Sequence, residues 1–189
     1  MTESPNPNIV DADSLTGEMH PIRRAVVSIG SNLGERRNNL QGAVHSLADT
    51  PEVWVTDVSP VYETEPVDAP EGSREFLNAI VLMDTTLSAR TLLDRALAVE
   101  SAYGRDPGGE RNAPRTLDVD LIVLGDRRAD EADLVLPHPR AGERAFVLVP
   151  WLDVESDAEI PGLGPVAELL EKTGREGVKL REDIELEFS

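Results

Sequence analysis

Residues 111–125 read Arg-Asn-Ala-Pro-Arg-Thr-Leu-Asp-Val-Asp-Leu-Ile-Val-Leu-Gly, a charged entry followed by an apolar run that carries two carboxylates. The run predicts a strand. Side chains alternate along a strand, so Leu117, Val119, Leu121 and Val123 share a core face, while Asp118, Asp120, Ile122 and Leu124 share the other. Two residues of rise separate the aspartates by roughly 6.6 Å at the backbone, within reach of one or two hard cations. Mg²⁺ suits such a pair, since it takes one or two protein carboxylates and completes its shell with water and substrate phosphates; two ions about 3.5–4 Å apart clamp a displacement at phosphorus. Arg105, Arg111 and Arg115 on the approach offer the forked donors that phosphate oxygens accept from. A D-x-D on a strand is also what the solvated face of an edge strand looks like. Three arginines and Pro114 on the entering segment favour the phosphate reading. A phosphatase built on D-x-D would put its acids at the exit of an early apolar strand, whereas here Leu121 to Leu124 follow them.

Upstream, Ser88 is placed to cap a helix that runs to about Tyr103 and is closed by Gly104. Leu92, Leu93, Ala96, Leu97 and Tyr103 form its apolar stripe, and Glu100 falls inside that stripe. A carboxylate there needs a partner, either in a ligand site or in an arginine such as Arg105. The glycine-rich segment 105–112 is expected to order when phosphates arrive. Downstream, residues 126–133 read as a polar turn. Leu134-Val135-Leu136 then enters Pro137-His138-Pro139, where two prolines hold His138 in an extended context, either for a site or as a loop histidine facing water. Residues 145–152 and 164–173 read as two short helices.

Nearer the start, residues 25–29 predict a buried strand ending in the turn 30–34, which is a phosphate nest or a plain strand-to-helix turn; neither G-x-x-x-x-G-K nor G-x-G-x-x-G is present. Residues 35–49 carry Leu40, Ala43, Val44 and Leu47 at helical spacing, with His45 off the stripe. Residues 53–58 read as a strand, 62–73 as a loop, and 76–84 as a strand with Phe76, Asn78 and Ile80 on one face. An amide two residues from an aromatic can read a heterocycle's edge while the ring stacks on its face; the same pair also suits a core phenylalanine beside a turn asparagine. The order strand, helix, strand, strand, helix, strand predicts an α+β, ferredoxin-like sandwich, with helices on one face of an antiparallel sheet.

With 189 residues the chain reads as one domain, residues 23–174, preceded by a disordered extension at 1–22 and followed by a tail at 175–189 that forms a terminal strand or stays loose. A net charge of -18 argues against nucleic acid as a partner, because counterion release needs a basic footprint. Charges further apart than about 8 Å are screened at physiological salt, so a local arginine cluster decides phosphate binding. No apolar run has membrane-spanning length, no basic-then-apolar leader is present, and cysteine is absent; a cytoplasmic monomer with no membrane partner is expected.

Ala113-Pro114-Arg115-Thr116-Leu117-Asp118-Val119-Asp120-Leu121-Ile122 resembles the signature of the 6-hydroxymethyl-7,8-dihydropterin pyrophosphokinase family. Further matches lie at residues 28–34, 59–66 and 76–79, at Glu100, and at 136–140 with Arg144 and Phe146, spanning residues 24 to about 153. The resemblance implies the ferredoxin-like fold and transfer of pyrophosphate from ATP, as cosubstrate, to a pterin alcohol, giving AMP and a pterin diphosphate in folate biosynthesis. It implies two Mg²⁺ on Asp118 and Asp120, with Arg105, Arg111 and Arg115 on the phosphates. Glu100, Arg115, Leu121, His138, Arg140 and Arg144 would lie on the nucleotide, and Thr64, Val67, Phe76, Asn78 and Phe146 around the pterin. The chain departs from well-studied bacterial members of the family at Asn112, where they carry an aromatic, and at Pro107, where they carry an extra arginine. A pterin- or nucleotide-binding protein without turnover is the alternative; AMP formed from ATP and the pterin alcohol separates the two.

Overall fold

Ala25-Val26-Val27-Ser28-Ile29 shows no polar alternation because its strand is buried on both faces. The structure is a computed structural model that describes residues 21–65, 71, 74–104 and 116–188. In chain order the elements are β1 (Arg23–Ser31), α1 (Arg36–Ala48), β2 (Val53–Val58), β3 (Tyr62–Thr64), β4 (Phe76–Thr85), α2 (Ala89–Ala102), β5 (Asp118–Leu124), β6 (Ala129–Glu131), β7 (Leu134–Leu136), α3 (Ala145–Val154), β8 (Glu159–Ile160), β9 (Gly164–Pro165), α4 (Val166–Thr173) and β10 (Val178–Leu180). The main sheet runs β10-β3-β4-β1-β5, and β2 pairs with β4 beyond the reach of β3. All its pairings are antiparallel.

The α+β sandwich is as expected, except that helices cover both faces of the sheet. Leu40, Ala43, Val44 and Leu47 of α1 and Leu92, Ala96 and Val99 of α2 pack on Val27, Ile29, Leu77, Ala79 and Val81. On the opposite face Val147, Leu148 and Trp151 of α3 and Val166 and Leu170 of α4 pack on Val26, Ile80, Leu82 and Ile122. The sequence order of the first six elements does not reveal this, because α3 and α4 come after the last long strand. Ser88 caps α2, its hydroxyl accepting from the Thr91 N–H at 3.2 Å.

Three local readings change. Residues 62–64, expected in a loop, form β3, since Tyr62 and Thr64 pair with Asn78 and Phe76. Residues 129–131, expected in a turn, pair with β7 as a hairpin. The alternation along β5 also breaks: the register with β1 passes from Val26↔Val123 to Val27↔Leu121, so Ile122 is the extra residue of a bulge. Ile122 and Val123 therefore both join the α3 face, and Leu124 returns to the α1–α2 face. Residues 1–20 of the expected N-terminal extension lie outside the described residues.

Candidate active site

Antiparallel register decides which side chains meet. Tyr62, Asn78, Gly30 and Asp118 form one row across four strands, and Ile80, Ser28 and Asp120 form the next. Residues paired in this way project from the same face. Asp118 and Asp120 thus stand on the α3 face, and the backbone of Asp118 is two strand spacings, about 9.6 Å, from that of Asn78. Gly30 lies between them, and its lack of a side chain is structural: a Cβ there would stand 2.9 Å from Asn78 Oδ1 and 3.6 Å from Phe76 Cδ1.

On the strand beside Gly30, the Asn78 amide donates to Thr64 Oγ1 at 2.7 Å, and both residues are buried. Phe76, half-buried, starts β4. Tyr62 beside Asn78 donates its hydroxyl to Asp153; burial, then this bond, pushes the phenol up to about 12, so it remains a donor near neutral pH. Phe146 opens α3 and packs partly on the core of that face, with the Arg144 guanidinium 5.5 Å from its ring centroid.

Glu100, Asp120, Leu121 and His138 line one cavity of about 260 Å³, walled by Leu93 and Leu97 of α2 and by Val135 of the β6–β7 hairpin. Glu100 is 5% exposed, and its Oε2 accepts from the Val119 N–H at 3.0 Å. This carboxylate therefore grips β5 at the residue between the two aspartates. Arg90 at the start of α2 pairs with Glu131 and Asp133, clasping the hairpin to the helix. The His138 backbone N–H donates to Ile122 O at 2.8 Å, and its ring Nδ1 accepts from the Arg140 backbone N–H. Burial, with Arg144 and Arg140 adding to it, lowers this imidazole to about 4, so it is neutral at pH 7. A larger hollow of about 480 Å³ shares Leu136 and His138 but is otherwise lined by residues such as Arg128, Pro161 and Leu163. It contains neither aspartate, so the smaller cavity is the better candidate for a nucleotide.

The structure thus brings Thr64, Phe76 and Asn78 together, and Glu100, Asp120, Leu121 and His138 together, with Arg140 and Arg144 beside His138. Val67, Arg105, Arg111 and Arg115 lie outside the described residues, as does the segment 105–112 expected to close on phosphates. Among the described residues no group of three or more His, Asp or Glu side chains is arranged to hold a metal. The aspartate pair suits a Mg²⁺ whose remaining ligands are water and substrate oxygens.

Sequence reasoning overlooked the residues that aim these elements. Asn39 of α1 donates to Ser31 Oγ, Leu33 O and Thr116 O at 3.0–3.2 Å, tying the β1–α1 turn to the entry of β5. Asn32 donates to Arg74 O, and Arg74 in turn to Gly34 O, so the turn is engaged with the approach to β4. The available signal was an asparagine next to the apolar stripe of a helix, where its helix propensity is poor.

A family model described as 7,8-dihydro-6-hydroxymethylpterin-pyrophosphokinase (HPPK) matches residues 26–156. The 2-amino-4-hydroxy-6-hydroxymethyldihydropteridine pyrophosphokinase of Mycobacterium leprae is 45% identical over 176 residues, covering 84% of this chain and 89% of the relative. The Pseudomonas aeruginosa protein of the same name is 36% identical over 158 residues, covering 84% and 96%. Among solved structures, Plasmodium falciparum HPPK-DHPS, wild type with pterin and p-hydroxybenzoate, superposes with a TM-score of 0.63 at 14% identity over 82% of this chain. The chain spans 44% of that protein's length, and the likeness supports the fold.

Proposed function

The chain belongs to the 7,8-dihydro-6-hydroxymethylpterin-pyrophosphokinase family, and from that premise we propose that it transfers pyrophosphate from ATP to 6-hydroxymethyl-7,8-dihydropterin in folate biosynthesis. Members of this family use ATP as cosubstrate. What supports the reading is the row Asn78, Gly30, Asp118, in which a buried amide and a carboxylate project from one face with only a glycine between them, Asp120 standing in the next row of that face.

Asn78, held by Thr64, reads the pterin's polar edge, while Phe76 and Phe146 supply apolar faces for the ring. Val67 belongs to the same pocket by the family motif. Glu100, Leu121 and His138 line the nucleotide cavity, with Arg140 and Arg144 flanking the neutral His138. Arg105, Arg111 and Arg115 are assigned to the phosphates. The pterin hydroxyl attacks the β-phosphorus, the bond from that phosphorus to the α–β bridging oxygen breaks, AMP leaves with that oxygen, and the hydroxyl proton is released. Asp118 and Asp120 would hold Mg²⁺, two ions in this proposal, which when bound neutralise phosphate charge as it shifts. The chain's own contribution is positioning: both ligands are held against one rigid sheet, so the alcohol meets phosphorus without a search.

A monomer is part of the same proposal. Among the described residues no helix is long and apolar enough to cross a membrane, and two small polar substrates suit a cytoplasmic location. The test is AMP formation from MgATP and the pterin alcohol by the purified chain. Binding of both ligands without AMP would replace the enzyme with a binding protein.

A further inference from the structure

β3 is three residues long, yet it carries Thr64, the partner of Asn78. A strand that short does not hold its own position. Its outer edge is covered by β10, with Val178 opposite Thr64, Lys179 opposite Glu63 and Leu180 opposite Tyr62. Immediately after β10, the Arg181 N–H donates to Val61 O at 2.9 Å. Its guanidinium donates to Glu63 Oε2 at 2.7 Å and forks onto Asp183 at 2.8 and 2.9 Å.

The same Glu63 oxygen accepts from Nη1 of Arg36, the first residue of α1, at 3.2 Å. That Nη1 also donates to Glu75 O at 2.8 Å, directly before Phe76. Glu63 is therefore a junction between the C-terminal segment, β3, α1 and the start of β4. A hydrogen bond from Glu75, with Arg181 and Arg36 adding to it, holds Glu63 below the usual carboxylate range, so it is ionised at neutral pH. Beyond Arg181 the chain follows α1. Arg37 donates to Glu185 O, Gln41 exchanges hydrogen bonds of 2.6 and 2.8 Å with the Glu187 backbone, and Leu186 is buried in the core with Ile184 and Phe188 against it.

The structure assigns residues 178–188 a role in the reaction: they strap β3 and the start of β4 to α1, and Arg181, through Glu63, is a positioning residue for the pterin wall formed by Thr64, Phe76 and Asn78. The assignment rests on the function proposed above. Arg181 touches neither substrate. It sets the alignment of groups that do, so its loss separates the two substrates, whereas a general loss of packing would not.

The experiment compares the full-length wild type with Arg181→Ala, Arg181→Lys and the exposed control Glu182→Ala. In Arg181→Ala the pterin KM at saturating MgATP rises about tenfold, the factor expected from losing one charge-assisted hydrogen bond. The ATP KM and kcat stay within about twofold, Arg181→Lys recovers part of the loss, and Glu182→Ala matches wild type. Amide exchange of residues 62–64 and 76–78 accelerates in Arg181→Ala, while that of α2 and β5 does not. Equal losses on both substrates, or unchanged exchange at those amides, would overturn the assignment. Should Arg181→Ala fail to fold, Arg181→Lys, which keeps a contact to Glu63 but loses the fork, carries the same comparison. If wild type forms no AMP, the proposed function falls, and exchange together with pterin calorimetry still decides the strap.

Discussion

Gly30→Ala tests the site with a single methyl group. The new Cβ would stand 2.9 Å from Asn78 Oδ1, where ordinary contact begins near 3.4 Å, so the amide must retreat by 3.4 − 2.9 = 0.5 Å. Asn78 moves as one planar group. A retreat of its oxygen swings the nitrogen away from Thr64 Oγ1, now 2.7 Å distant in a buried setting. Leaving such a pair poorly matched costs about 1–3 kcal/mol, or about 5- to 150-fold in binding if the whole cost falls on the ligand. The amide relaxes in part, so the expected rise in pterin KM is about tenfold. Gly30 does not adopt the left-handed backbone, so alanine introduces no φ strain. A Gly→Ala change at a compatible site restricts the unfolded chain and stabilises by about 0.4–1 kcal/mol, which offsets part of the clash and keeps the melting temperature near wild type. The assay is AMP formation with pterin varied at saturating MgATP, then the reverse, alongside a thermal melt. A proportional rise in both KM values, or no change in either, would refute the idea that Gly30 keeps the space between the pterin reader and the carboxylates.

Three further outcomes follow from the same geometry. Asp118→Asn and Asp120→Asn each reduce turnover about a hundredfold or more with little change in melting temperature, read across a Mg²⁺ titration; wild-type rates at limiting Mg²⁺ would remove the metal assignment. Glu100→Ala takes away the acceptor of the buried Val119 N–H and lowers stability by about 1–3 kcal/mol in urea, whereas Glu100→Gln retains an acceptor and most of that stability. His138, neutral when folded with a pKa of about 4 against 6.5 for the free group, is protonated first in the unfolded chain. Its contribution to stability is therefore complete above pH 6.5 and is lost as pH falls toward 4; His138→Gln should flatten the change in urea midpoint between pH 7 and pH 5.

The aspartate pair was legible because it depends on a local rule: two residues on one strand share a face whatever the strand pairs with. The same rule failed three residues later. Val123 and Leu124 changed faces because β5 bulges at Ile122 against β1, and a bulge is a property of two strands whose partners are remote in the chain. The walls of the site are non-local to a greater degree. Asn39 and Thr116 are 77 residues apart, and Glu63 and Arg181 are 118 apart, so no window of sequence shows either pair. β3 reads as loop in the sequence for the same reason: with three residues and no pattern of its own, it is a strand by virtue of β4 on one side and β10 on the other. A reading of motifs therefore finds the groups proposed to meet the ligands and passes over those that aim them. In this chain the aiming groups are ordinary in type, an asparagine, an arginine and a glutamate, and what distinguishes them is that each ties together elements that local periodicity treats as independent.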